Sequence, residues 1–349
     1  MPHFNSYNLL KEEGVKLPNS VTVFDDGRVA VADGENCRIC VFSPDGGLVW
    51  QHDKQGFADD GLREPITVAV TPDQYLLAAD WHNNRLLVFT PELEFSHALF
   101  HPGPVRGGYK TGPLFTLEIF AKHLLTRSVG APYYFSFDKM EGGQNKTAEY
   151  SIRNLFKGLG HYGLRPLKLW RTLTDRGHSV RKIDGVIVQN NQMILTQKAN
   201  RCVSVYDLKE KGYQNPALNR HIFESGGTKL GRVCNLASDG QGRIYICDQE
   251  NWRITALNPD YSHYRDYMYK EKEHIPQAPF ACCVIDDRYL AAVRSFGIEI
   301  RDLETEQVVF ECDDLGETHG LAWDSKRRSL YYVDRSHSNI TLFDIPEEL

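Results

Sequence analysis

Residues 18–51 read PNSVTVFDDGRVAVADGENCRICVFSPDGGLVWQ, and the rest of the chain repeats their layout. Residues 21–24 form a short β-branched run, and Asp25-Asp26-Gly27 supplies a tight turn. A second run follows at 28–32, then a turn through Asp33, Glu35 and Asn36. Residues 38–42 form a third run, Ser43-Pro44-Asp45-Gly46-Gly47 turns again, and 48–50 form a fourth. Four short apolar runs parted by turn residues predict one antiparallel four-stranded sheet. Such a sheet cannot bury both faces alone, so it needs copies of itself alongside.

The copies are present. Asp33, Asn36, Arg38 and Ile39 correspond to Asp80, Asn83, Arg85 and Leu86 in residues 65–100, and to Asp248, Asn251, Arg253 and Ile254 further on. A weaker copy supplies Asp334, Asn339 and Ile340, and degenerate ones fall at 122–138, 192–207 and 288–302. The position of Asp33 recurs at 80, 128, 197, 248, 294 and 334, in steps of 40 to 51 residues apart from one of 69, which marks an insertion. A four-strand unit at this period predicts an all-β propeller whose blades ring a central channel, as a single domain over 1–349. Seven units are counted, with six as the alternative.

The D-x-x-N-x-R-[IL] pattern at 33–39, 80–86 and 248–254 resembles the NHL-repeat family. The resemblance covers nearly the whole chain outside the insertion. It implies a propeller, six-bladed as a rule, that serves as a binding platform for proteins or RNA; some related six-bladed propellers are lyases or lactonases. NHL proteins often carry a RING, B-box or coiled-coil segment, and this sequence shows none, so a partner is expected to be reached through the propeller itself. The repeated Asp and Arg read as structural: Asp can accept backbone N–H groups in the turn, and Arg can reach back to it from the next strand.

The last unit is short of one strand, because only four residues follow the run at 340–345. Residues 4–10, FNSYNLL, form a strand-like run with no unit of their own and are expected to fill that place. The ring would then close without an exposed edge.

Composition fits one globular domain: 349 residues, a formal charge of −6 and no apolar run long enough to span a bilayer. The acidic balance argues against a whole-surface nucleic-acid binder. The first residues lack a charged segment followed by an apolar one, so no signal peptide is read there. The eight cysteines are scattered over expected strands and read as reduced, which points to the cytoplasm.

The third unit begins at 113, and its fourth strand is expected at 167–173, which leaves 141–165 as the insertion. Ile152, Leu155, Phe156 and Leu159 recur at helical spacing and predict a short amphipathic helix over 148–157. Between Lys146 and Lys182 the balance is +7, so the remainder of the chain carries −13. Arg153, Phe156, Lys157, Arg165, Lys168 and Trp170 are the candidates for docking an acidic protein partner or a larger assembly. RNA is the less favoured partner.

In a propeller the residues that begin each innermost strand converge at the channel mouth. Here they are read as Asn19, Thr67, Phe115, Asp184, Asn235, Ala281 and His319. Asn19, Asp184, Asn235 and His319 would offer a divalent cation, Ca²⁺ or Zn²⁺, a mixed oxygen and nitrogen shell. Residues 319–334 are similar to a blade of the gluconolactonase family, in which the place of His319 is usually an Asn metal ligand. The chain has no nucleophile elbow, no H-E-x-x-H and no glycine-rich phosphate loop. The reading is therefore a binding scaffold without a cofactor; the alternative is a lactonase- or lyase-type enzyme with a metal at the mouth.

Overall fold

The computed structural model describes residues 6–10, 14–56, 58–100, 180, 182–209, 211–269, 277–294, 297–313, 315 and 318–347. They form six four-stranded antiparallel sheets and a small hairpin. Blade 1 comprises Pro18–Val23, Val29–Asp33, Arg38–Phe42 and Leu48–His52. Blade 2 comprises Pro65–Val70, Leu76–Asp80, Arg85–Phe89 and Phe95–Leu99. Blade 3 runs from Ile183–Gln189 through Gln192–Gln197 and Cys202–Asp207 to Ala217–Ile222. Blade 4 contains Val233–Ser238, Ile244–Asp248, Arg253–Leu257 and His263–Met268. Blade 5 contains Ala281–Ile285, Tyr289–Arg294, Gly297–Asp302 and Val308–Cys312. Blade 6 has Leu321–Asp324, Ser329–Asp334 and Asn339–Asp344, and takes its outer strand, Ser6–Asn8, from the start of the chain.

The inner strands alternate too little to leave a wet face, and the second strands of blades 1 and 2 are buried at every position. Both faces are covered because each sheet packs on the next. Six buried apolar clusters fill the six blade–blade interfaces. Ala32, Ile39 and Val41 of blade 1 meet Leu76, Ala78 and Leu87 of blade 2. Leu77 and Leu86 of blade 2 meet Ile183, Val186 and Leu195 of blade 3. The series continues through Ile194 with Val233, Tyr245 with Cys282, Ile300 with Tyr332, and Ile340 with Val31, which returns to blade 1.

The ring therefore closes with six blades and not seven. Blade 2 packs directly on blade 3, and Lys182 N–H donates to Asn84 Oδ1 at 3.1 Å across that boundary. The third unit read from the sequence, its Phe115, the strand at 167–173 and the insertion at 141–165 all lie outside the described residues. The overcount has a physical origin. Apolar runs of strand length fit any sheet, and the unit around Ser128 lacks the Asp and Asn that bind a turn to a blade.

The ring is sealed as the chain ends require. Ser6, Tyr7 and Asn8 lie opposite Phe343, Leu342 and Thr341, and Leu9 N–H donates to Ile340 O at 2.8 Å. Leu9 and Leu10 are buried among Val29, Val31, Ile340 and Leu342. The strap passes so close to the last turn of blade 1 that a Cβ on Gly46 would lie 1.9 Å from Leu9 O, and Gly46 also has φ +89°. Only glycine meets both demands.

The Asp, Asn and Arg of the repeat hold the loops that lead into blades. Asp33 Oδ2 accepts from Asn36 Nδ2 at 2.9 Å and Arg38 Nε at 2.7 Å, while Oδ1 accepts Lys16 N–H at 2.8 Å. Asp80 and Asp248 repeat this with Asn83 and Arg85, and with Asn251 and Arg253. Each Asn also donates to a carbonyl of the incoming loop: Gly14, Gly56 and Lys229. At these three positions the backbone bonds come from the loop before the blade, whereas in blade 6 Asp334 Oδ1 accepts His337 N–H of its own turn at 2.9 Å. In blade 5 the charges are exchanged. Arg294 stands at the Asp position and is ion-paired with Glu299, Glu311 and Asp313.

None of the eight cysteines is joined in a disulfide. Cys37 sits in the turn at φ 51° while Cys40 is buried in the following strand, and burial pushes the Cys40 thiol up to about 12. Among the described residues no helix is long and apolar enough to cross a membrane.

Candidate functional site

The loops between blades and the turns between second and third strands share one end of the ring. Irregular pairing at the start of the inner strands shapes the channel there. The register slips between Pro18 and Ser20, Pro65 and Thr67, Ile183 and Gly185, and Val233 and Leu236. A bulge re-aims the extra side chain. Counted from the strand pairing, the mouth positions are Asn19, Ile66, Asp184, Cys234, Phe280 and His319.

Asn19, Asp184 and His319 therefore stand where the sequence places them, whereas Thr67, Asn235 and Ala281 are displaced by one. Asn235 has a different task. Its Oδ1 accepts Cys282 N–H at 3.1 Å on the next blade, as Ser20 Oγ accepts Val68 N–H at 3.3 Å. Asn19 Nδ2 donates to Pro65 O at 2.9 Å, and the Cys234 thiol reaches the equivalent Pro279 O at 3.5 Å. Among the described residues no group of three or more His, Cys, Asp or Glu could hold a metal ion.

A second tier surrounds the first, and sequence reading missed it. It is formed by the residue directly after the repeat's Asp position, which in blade 3 is Gln197: Gly34, Trp81, Lys198, Gln249 and Arg335 among the described residues. Lys198 Nζ is 2.9 Å from Asp184 Oδ2. Burial raises the Asp184 carboxyl, and the Lys198 ammonium opposes that rise. Arg335 Nη1 donates to His319 Nδ1 at 2.8 Å. The Phe280 ring stacks on the His319 imidazole at 5.2 Å and 9°. Burial and the positive charges of Arg335 and Lys198 lower the His319 pKa to about 4, so the ring is neutral at physiological pH.

Cations crowd this end. Lys182 Nζ donates to Trp81 O at 3.2 Å and lies 4.5 Å from the indole centroid, with Lys198 Nζ at 5.6 Å from the same ring. Burial, with Arg63 adding to it, lowers the Lys182 pKa to about 8 against the pull of Glu64 and Asp80. Glu64 itself is bonded to His82 at 2.6 Å, which holds its carboxyl below the ordinary value. The mouth is therefore basic and partly aromatic within a chain of net charge −6. At the opposite end a cavity of about 430 Å³ lies between blades 2 and 3, lined by Pro72, Asp73, Asn190, Asn191, Lys209 and Tyr213 among others.

These features define a six-bladed β-propeller with a cationic channel mouth. Residues 16–42 match the family model described as NHL repeat, so the chain carries an NHL repeat where the pattern is read. No curated protein matches the sequence. Solved structures of similar fold include a streptogramin B lyase, 10% identical with 98% of each chain covered and a TM-score of 0.56. A gluconolactonase from Xanthomonas campestris is 12% identical over 98% of this chain and 90% of its own, with a TM-score of 0.56. U3-55K is 8% identical over 97% and 98%, also at 0.56. At such identities the likeness is one of fold.

Proposed function

We propose that this propeller acts by binding rather than by catalysis, and that it docks a protein partner through its loops and through the basic, aromatic-bearing stretch at 141–165. One observation carries the first half of the reading. The groups at the mouth that could serve as base, nucleophile or metal ligand are engaged within the protein: Asp184 by Lys198, His319 by Arg335, Asn19 by Pro65 and Asn235 by Cys282. A general base needs a reachable lone pair and a suitable pKa. His319 Nδ1 already accepts a hydrogen bond, and the ring's pKa lies far below neutrality.

The second half rests on sequence. Arg153, Phe156, Lys157 and Arg165, with Lys168 and Trp170 beyond them, combine positive charge with large apolar side chains in an acidic chain. That combination suits an acidic partner with an apolar centre. These six residues lie outside the described ones. Affinity capture from the native source, with wild type beside an Arg153→Ala/Phe156→Ala variant, tests the reading. A partner that co-purifies with wild type is expected to be depleted about tenfold or more from the variant. An unchanged partner set would remove 141–165 from the interface, and recovery of RNA with a steep salt dependence would replace the protein partner with a nucleic acid.

A further inference from the structure

Two cations at the channel mouth have no carboxylate at ion-pair distance among the described residues. Arg335 bonds His319 through Nη1, and its Nε is buried without a hydrogen-bond partner there. The Lys182 ammonium donates to the Trp81 carbonyl and covers the Trp81 ring. Lys198 shares that indole and is neutralised by Asp184. Lys182 and Lys198 lie over one indole, and His319, bonded to Arg335, also feels the charge of Lys198 from blade 3. A buried unpaired donor within a cluster of like charges is the arrangement that an anion relieves.

We propose that the channel mouth binds a compact oxyanion, a phosphate or carboxylate group of a small molecule, held by Arg335, Lys198 and Lys182 beside the Trp81 indole. The guanidinium supplies paired donors to two oxygens of one group, and the ammonium groups supply point charges. The indole excludes water from one side and strengthens both. Three acidic groups lie nearby: Asp184 is paired with Lys198, Glu64 with His82 and Asp80 with Arg85, and Glu64 also attracts Lys182 and Arg335 without reaching ion-pair distance of either, so the ligand shares Lys198 with Asp184 rather than displacing it. The site goes beyond the protein-docking reading and does not depend on it.

Calorimetric titration of the purified full chain with inorganic phosphate, and separately with citrate, tests the proposal, with sodium chloride holding ionic strength constant. Saturable one-to-one binding of at least one anion is expected; phosphate alone, citrate alone or both identifies which oxyanion the mouth accepts. Arg335→Gln should weaken that binding about tenfold or more, and Lys182→Gln should weaken it less. Arg201→Gln, a change at an exposed cation ion-paired with Glu250, should leave it intact. Near-ultraviolet circular dichroism checks that each variant is folded; if Arg335→Gln is not, Lys182→Gln decides. No saturable binding of either anion to wild type would overturn the proposal. So would equal affinity in both mouth variants and wild type, or an equal loss in Arg201→Gln. None of these results bears on residues 141–165, so this inference and the docking reading fail separately.

Discussion

Arg85→Ala is expected to destabilise the protein by about 3–5 kcal/mol, because it strands a buried carboxylate. The Arg85 and Asp80 side chains are both fully buried, with Nε 3.2 Å from Oδ2. Arg85 Nη2 also bonds the Gly61 carbonyl, so the substitution frees the loop that leads into blade 2 as well. Removing one member of such a pair costs far more than the pair contributes relative to apolar residues of the same volume. Arg38→Ala offers an internal comparison, since Arg38 keeps 20% side-chain exposure and water can solvate the remaining Asp33 in part. Its loss should be nearer 1–2 kcal/mol. Thermal unfolding reads the difference, with Arg85→Ala lowering the midpoint by on the order of 10 °C. Equal losses at the two sites would show that burial does not set the strength of the repeat's ion pair. The double substitution Asp80→Leu/Arg85→Met should recover part of the Arg85→Ala loss, but not all, because Asp80 also accepts Arg63 N–H at 3.1 Å.

The second large effect is expected at the ring's closure. Deleting residues 1–10 removes the outer strand of blade 6 and uncovers Ile340, Leu342 and Tyr331, which pack with Leu9 and Leu10. Loss of two buried leucines alone corresponds to about 3–6 kcal/mol, before the strand's hydrogen bonds are included. It also exposes the edge of Asn339–Asp344 to other chains. The truncated protein should melt well below the full chain and aggregate on concentration. A truncated protein with the full chain's midpoint and solubility would mean that the strap is incidental to closure.

The fold was legible where one turn is repeated with its chemistry intact. Asp33, Asn36 and Arg38 recur as a set because each incoming loop needs the same three contacts, so the repeat is visible in the residues themselves. The missing strand of blade 6 was legible too, since an unfilled outer position and an unassigned run point to each other. The blade number was not, because apolar alternation reports a strand without reporting which ring it joins. Three mouth positions were misplaced by one residue because bulges and strand starts differ between blades, and register is set by pairing that a lone sequence does not display. Trp81, Lys198 and Arg335 were within reach. Each follows directly on the repeat's Asp position, and that column holds two cations and an indole. The exchange of Arg294 for Asp and Glu299 for Arg carried a signal as well, for the charges invert while the spacing of five residues is kept.

The claim that this propeller binds rather than catalyses is tested most directly by metal analysis of the purified full chain, joined to an assay for lactone and ester hydrolysis. Because Asn235 is bonded to Cys282 and His319 to Arg335, Asp184 is left with the Lys198 ammonium as its counter-charge in place of a metal ion. No stoichiometric Ca²⁺ or Zn²⁺ and no hydrolysis above the uncatalysed rate are expected, with Asp184→Asn changing neither. One equivalent of bound divalent metal, released by Asp184→Asn together with loss of measurable lactone or ester turnover, would contradict the claim and make the mouth a catalytic centre.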